Sequence, residues 1–127
     1  MSDQAPTQSD RSVLLNPSPS KVFSWILWEP AAPAVLDDQG RTIQPAGPVL
    51  TVRYRYNGAE QSFWPVSEQE AKQVMNPGPL YDYSIGKAFG DIVKAHKSGR
   101  LIKPGERQST VKQREEIEAR AGRRWLA

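Results

Sequence analysis

The stretch Leu50-Thr51-Val52-Arg53-Tyr54-Arg55-Tyr56-Asn57-Gly58-Ala59-Glu60-Gln61-Ser62-Phe63-Trp64 decides the fold. Its first half alternates. Leu50, Val52, Tyr54 and Tyr56 point one way, and Thr51, Arg53 and Arg55 the other, because successive side chains of a strand leave opposite faces. Asn57-Gly58 then supplies the positive-φ positions of a tight hairpin. A two-residue turn there pairs Tyr56 with Ala59, Arg55 with Glu60, Tyr54 with Gln61 and Val52 with Phe63. Opposite charges at Arg55 and Glu60 support that register. Trp64 falls on the arginine-bearing face, beside Thr51. Tyr54 and Tyr56 fall on the face expected to lie under helices.

Upstream, Val22 to Trp28 reads as another strand, β-branched and aromatic, ended by Glu29-Pro30. Being apolar on both faces, it should be central or covered. Residues 30–49 carry four prolines and an Asp-Asp-Gln-Gly turn signal at 37–40. They predict a long loop with a short hairpin around Gly40. Downstream, Ser67-Glu68-Gln69-Glu70 is a capping box that starts a helix over about Glu68 to Met75, with Ala71, Val74 and Met75 inward. Asn76-Pro77-Gly78-Pro79 stops it. Ser84 caps a second helix whose apolar stripe is Ile85, Ala88, Phe89, Ile92 and Val93. Lys94, His96 and Lys97 suit its C-terminal dipole, and Gly99 reads as its stop. Gly86 and Gly90, four apart, would let another backbone come close.

These elements predict an α+β fold: an antiparallel sheet of about three strands with two helices on one face. The domain spans 21–102 and carries the Pro-rich loop 30–49. A polar arm, 1–20, precedes it, expected without secondary structure of its own. A basic helical tail, 103–127, follows, hinged at Pro104-Gly105. In the tail, Thr110 to about Ala121 predicts a third helix with little apolar face beyond Val111 and Ile117.

The composition suits one domain of 127 residues. With 38% hydrophobic residues and 11 prolines, the core should be smaller than the chain. There is no cysteine, which excludes disulfides and thiolate metal sites. The longest apolar run, Val22 to Trp28, is too short to span a bilayer. Residues 1–19 lack a signal-peptide pattern, so a cytoplasmic or virion setting is expected. The net charge is +3. The tail alone accounts for it, with seven Lys/Arg against four acids. A neutral body argues against a broad phosphate-binding face.

Chemistry-bearing constellations are sparse. The single histidine, His96, sits at a helix end, where a solvated or capping role outweighs metal binding. Asp37-Asp38 and Glu115-Glu116 fall in loop or exposed helix, which does not separate carboxylate pKa values as acid–base catalysis requires. No enzyme, cofactor, metal or small-molecule substrate is expected. The candidate sites are for macromolecules. Val13, Leu14 and Leu15 interrupt the polar arm and could dock on a surface. Arg123, Arg124, Trp125 and Leu126 end the tail with an aromatic anchor suited to a partner. For nucleic acid, Arg53, Arg55 and Trp64 would set cations beside a stacking surface, and Lys112 and Arg114 would add phosphate contacts.

Residues 24 to about 97 resemble the KTSC domain, a small module of bacterial and phage proteins also found at the C-terminus of some lysyl-tRNA synthetases. The matching motifs are Ser24-Trp25-Ile26, Leu50-Thr51-Val52-Arg53-Tyr54, Gly58, Phe63-Trp64, Pro65-Val66, and Tyr81, Tyr83 and Ile85. The family's Ser-Lys-Gly tripeptide is replaced here by Asn76-Pro77-Gly78-Pro79, and loop 30–49 is longer. The resemblance covers a little over half the chain. It implies the α+β fold and no enzymatic role. Together with the polar arms, it leads to an expected role as a bacteriophage virion or assembly component that binds other protein subunits. Nucleic-acid binding and a small protein-binding adaptor are the alternatives.

Overall fold

The computed structural model describes residues 14–16 and 21–103. The chain is α+β, with the helices on one face of an antiparallel sheet. The sheet has five strands rather than about three, in the order β1-β2-β5-β6-β7. Its strands are β1 (Leu14–Asn16), β2 (Phe23–Ala32), β5 (Gly47–Tyr54), β6 (Glu60–Trp64) and β7 (Ser98–Leu101). Between β2 and β5, β3 (Val35–Leu36) and β4 (Thr42–Gln44) form a separate small hairpin.

Two strands escaped sequence reading. β1 comes from the arm expected to lack structure, and pairs Leu14 with Trp28 and Leu15 with Leu27. β7 contains Gly99, read from the sequence as a helix stop. Gly99 faces Phe63, and a Cβ there would lie 2.7 Å from the ring. The glycine serves close strand packing, not helix termination. β2 also runs on through Pro30. The ladder to β5 shifts between Glu29 and Ala32, the irregularity at which a strand tolerates a residue without an N–H.

The central hairpin forms with its register moved by two. Arg53 pairs with Glu60, Thr51 with Ser62 and Leu50 with Phe63. The strands close at Tyr54 N–H to Ala59 O, 2.9 Å, leaving Arg55 to Gly58 as the turn. Gly58 takes φ 70°, as expected, while Asn57 accepts from the Ala59 N–H through its side chain. A shift of two keeps every side chain on its intended face. It does remove Tyr56 from the sheet, and this ring is exposed rather than under the helices.

On the covered face, Phe23, Ile26, Trp28, Leu50, Val52 and Phe63 meet the helical layer. Helix α1 (Glu68–Met75) is capped as its sequence predicts: Ser67 Oγ accepts from the Glu70 N–H and the Glu70 carboxylate from the Ser67 N–H. Ala71, Val74 and Met75 are buried. Helix α2 starts after Ser84, whose Oγ accepts from the Lys87 N–H, and runs over Ile85–Ala88. It widens into π-helical turns over Phe89–Lys94, where the Ala95 N–H reaches Gly90 O at 3.1 Å. Ala88, Phe89 and Val93 are buried, and Ile85 and Ile92 pack at the edge. Each fully buried side chain of this size contributes about 1.5–3 kcal/mol. Among the described residues no second backbone approaches Gly86 or Gly90: Gly90 has open space, and Gly86 meets only side-chain atoms at 3.8 and 3.9 Å.

Polar bonds fix the layers to each other. Trp28 Nε1–H donates to Val66 O across the core at 2.6 Å. Lys97, just past the π-helical turns, pairs with Glu70 of α1 at 3.0 Å. Burial works to raise the Glu70 carboxyl. The Ser67 amide and the Lys97 ammonium outweigh it and hold Glu70 below its ordinary value of 4.5. Its stabilisation is therefore present above about that pH and is lost as pH falls through the lowered folded value.

Two outcomes are expected. Glu70→Gln should lower stability at pH 7 by about 1 kcal/mol. It should also flatten the acid limb in urea titrations run at stepped pH; an acid limb identical to wild type contradicts the role of Glu70. Gly99→Ala should destabilise by about 1–3 kcal/mol, because the buried Phe63 ring must shift. Equal urea midpoints for the two proteins would show that the ring gives way freely.

Candidate functional site

Two surfaces carry the candidate residues. The first is the face of the sheet away from the helices. Trp25, Leu27, Thr51, Arg53, Glu60, Ser62, Trp64 and Arg100 belong to it by register. Arg53 and Trp64 do share this face, as the alternation predicts. They do not meet. Ser62, not Trp64, lies beside Thr51, so Trp64 stands about four residues further along than Arg53's partner Glu60, roughly 13 Å at strand spacing. The aromatic beside Arg53 is Trp25, which sequence reading did not select, because a bulge between Phe23 and Trp25 turns it to this side.

Arg53 is also committed. Its Nη1 lies 3.6 Å from the carboxylate of Glu60, which is completely buried. A buried carboxylate demands a nearby cation. A two-residue turn would pair Glu60 with Arg55; the shifted register gives it Arg53. Arg55 lies in the turn, exposed, with its N–H on Val22 O at 2.9 Å. Arg53 thus supports the fold first.

Further along, the β3–β4 hairpin leans on the same face and borders a half-open pocket of about 90 Å³ with Glu29, Gln44, Thr51, Ser62 and Arg100 among its walls. Thr51 Oγ1 and Ser62 Oγ share a hydrogen bond at 3.0 Å, and Arg100 Nε donates to Gln44 Oε1 at 2.9 Å. Gln44 is buried by this contact. The Asp37 turn closes the hairpin as its sequence predicts: Gly40 N–H bonds Asp37 O, and the carboxylate accepts from the Gln39 and Arg41 amides. The Arg41 amide bond, the largest of these influences, holds Asp37 below its ordinary value.

The second surface lies at the end of the sheet where β2 begins and β5 ends. Pro79–Tyr81 forms a 3-10 turn, and Asp82 and Tyr83 follow it with φ 55° and 58°. Two consecutive non-glycine residues in the left-handed region are strained, at roughly 1 kcal/mol each or more. The strain is braced. The Asp82 and Tyr83 amides return to Pro79 O and Gly78 O, both at 3.0 Å. Tyr81 Oη donates to Asp91, and Lys87 Nζ to Asp82, both at 2.7 Å. The Asp91 bond pushes the Tyr81 phenol up, and the Lys87 bond pulls the Asp82 carboxyl down.

What this bracing presents to solvent is apolar: Leu80 is 79% and Tyr83 72% exposed. Val22 and Tyr56, 46% and 83% exposed, belong to the same end. A Cβ on Gly86 would be 3.9 Å from Val22, and Tyr56 packs on Tyr54 with ring centroids 6.0 Å apart. Sequence reading missed Leu80 and Tyr83. Proline and glycine mark a turn there, but nothing marks the left-handed pair at Asp82 and Tyr83.

Among the arm residues, Leu14 packs against the chain's own core from β1, and Leu15 pairs with Leu27 in the same strand. Val13, Lys112, Arg114, Arg123, Arg124, Trp125 and Leu126 lie outside the described residues. His96 is exposed. Among the described residues, no three of His, Asp and Glu gather as a metal site, and no helix is long and apolar enough to cross a membrane.

Arg53→Met should destabilise by about 1–3 kcal/mol in urea unfolding, since it takes the cation from a buried carboxylate. Unchanged stability would mean that Glu60 does not need Arg53, and would return Arg53 to the list of binding residues.

No family model matches the chain, and no curated protein or solved structure matches it either.

Proposed function

We propose that this chain is a non-enzymatic assembly module that docks on a neighbouring protein subunit, in the manner of a minor capsid, cement or connector component of a bacteriophage particle. One observation carries the reading. Leu80 and Tyr83 are displayed on a strained turn that four hydrogen bonds hold in place. Exposed apolar side chains held rigidly lose little entropy on binding, which is how a few anchors come to dominate an interface. Backbone strain that persists under such bracing is characteristic of binding sites. The polar arms and the KTSC-like sequence pattern favour the same reading.

Nucleic-acid binding is the second reading, and one observation favours it: Tyr56 stands exposed beside Arg55 in the hairpin turn. Stacking with an adjacent cation is the usual form of single-strand recognition. It is the weaker reading, because Arg53 is held by Glu60 and Trp64 lies at the other end of the face.

Tyr83→Gly tests the proposal. Glycine accepts φ 58° without strain, so stability should stay within about 1 kcal/mol of wild type while the anchor is lost. A photo-crosslinking residue at Leu80 should give one discrete adduct with another polypeptide in the source cells. The same residue at exposed Glu68 should not, and Tyr83→Gly should abolish the Leu80 adduct. Equal labelling from positions 80 and 68, or an adduct indifferent to Tyr83→Gly, refutes the docking site. Tight, steeply salt-dependent binding of single-stranded nucleic acid that Tyr56→Ala removes would install the second reading instead.

A further inference from the structure

We infer that this chain forms a symmetric dimer by antiparallel pairing of the β7 strands of two copies, making one continuous ten-stranded sheet. β7 is an outer strand of the sheet. Ser98, Gly99 and Leu101 are all exposed, and no other described strand pairs with its outer side. The ladder shows which groups face outward. The Ile102 N–H bonds Glu60 O at 3.0 Å, which makes 102, 100 and 98 the residues bonded to β6. Gly99 and Leu101 alternate with them, so their N–H and C=O groups point away from the sheet. The strand has no proline and no bulge, and its one charge, Arg100, lies on the side away from the helices. The opposite edge, β1, is three residues long and runs into Pro17.

The register follows from the donors. A two-fold axis perpendicular to the sheet keeps both helical layers on one side and requires each residue to meet one of the same face. Centring the axis on Arg100 pairs Gly99 with Leu101 of the second copy, and the reverse. All the outward groups of both residues are then used, for four hydrogen bonds in total. Centring it on Gly99 instead requires the Lys97 N–H, which already bonds Val93 O at 2.9 Å. The Arg100 Nη1 contact to Leu101 O is long, at 3.4 Å, and a carbonyl has a second lone pair for the ladder amide.

Side-chain shape agrees with this register. Leu101 is a large apolar side chain left 63% exposed on the helix-bearing side. Opposite it in the second copy lies Gly99, where the Phe63 ring leaves no room for a Cβ. Each Leu101 therefore lies over the glycine of the other copy, toward Phe63. On the other face the two Arg100 side chains face each other. Each is drawn back over its own sheet by Gln44 Oε1, yet like charges across a pair still oppose association. This gives a distinguishing property: added salt should strengthen the dimer, because it screens that repulsion.

The test is sedimentation of the full chain, and the small contact predicts a dissociation constant between about 10 µM and about 1 mM. The dimer should tighten as salt rises. Leu101→Lys, at an exposed position, should weaken it at least about tenfold with the thermal midpoint nearly unchanged. Leu101→Pro should abolish it by removing an outward N–H; should that variant fail to fold, amide exchange takes its place. In wild type, the Gly99 and Leu101 amides should gain protection with protein concentration. A strict monomer at about 1 mM, or a dimer that ignores Leu101→Lys and leaves those two amides unprotected, overturns the inference. The outcome is independent of the Leu80–Tyr83 site, because Tyr83→Gly leaves β7 unaltered.

Discussion

The structure depends on where one ring sits. Phe89 meets Phe23 edge-on at 4.9 Å and Phe63 edge-on at 5.2 Å. Phe23 belongs to β2 and Phe63 to β6, on either side of β5, so a single helical side chain bridges the width of the central sheet. The perpendicular geometry sets ring edges against ring faces, the arrangement their charge distribution favours. Much else follows. The π-helical turns begin at Phe89, and Val93 is buried in the same turn. Gly99 is needed because the Phe63 ring, placed against Phe89, leaves no space at the neighbouring strand.

Most local signals were legible. The Ser67/Glu70 capping box, the Ser84 cap, the Asp37–Gly40 turn and the alternation in β5 each declare themselves within a few residues, and each forms. What was not legible depends on partners distant in the chain. Leu14–Asn16 is a strand only because β2 offers it an edge, and β7 only because β6 does. The hairpin register was misjudged for a related reason. Asn57-Gly58 can close a two-residue turn, but ending the ladder at Tyr54 places Glu60 opposite Arg53 and leaves Tyr56 outside the sheet. For the site, aromatic and basic residues could be listed from the sequence. Their mutual placement could not, since it rests on a bulge in β2 and on left-handed backbone at Asp82 and Tyr83.

The two faces of the sheet solve opposite problems. The helix-bearing face is apolar and nearly continuous. The other face mixes Leu27, Thr51, Ser62, Glu60 and Gln44, all buried. Polar groups in such a place need partners, and the Thr51–Ser62 and Arg100–Gln44 bonds supply them in pairs that fit one arrangement of strands only. The β3–β4 hairpin contributes Gln44 to this set. The Pro-rich segment is therefore part of the sheet's second surface.

The four-residue turn from Arg55 to Gly58 has a consequence for how this chain can vary in length. The faces of β5 and β6 are matched by parity, since side chains alternate with a period of two. Adding or removing one residue within either strand turns everything beyond it over: Phe63 would leave the core and Glu60 would enter the apolar layer. Changes confined to the turn leave the ladder from Arg53–Glu60 onward as it is. The turn is the place where this hairpin can lengthen without the rest of the sheet having to answer.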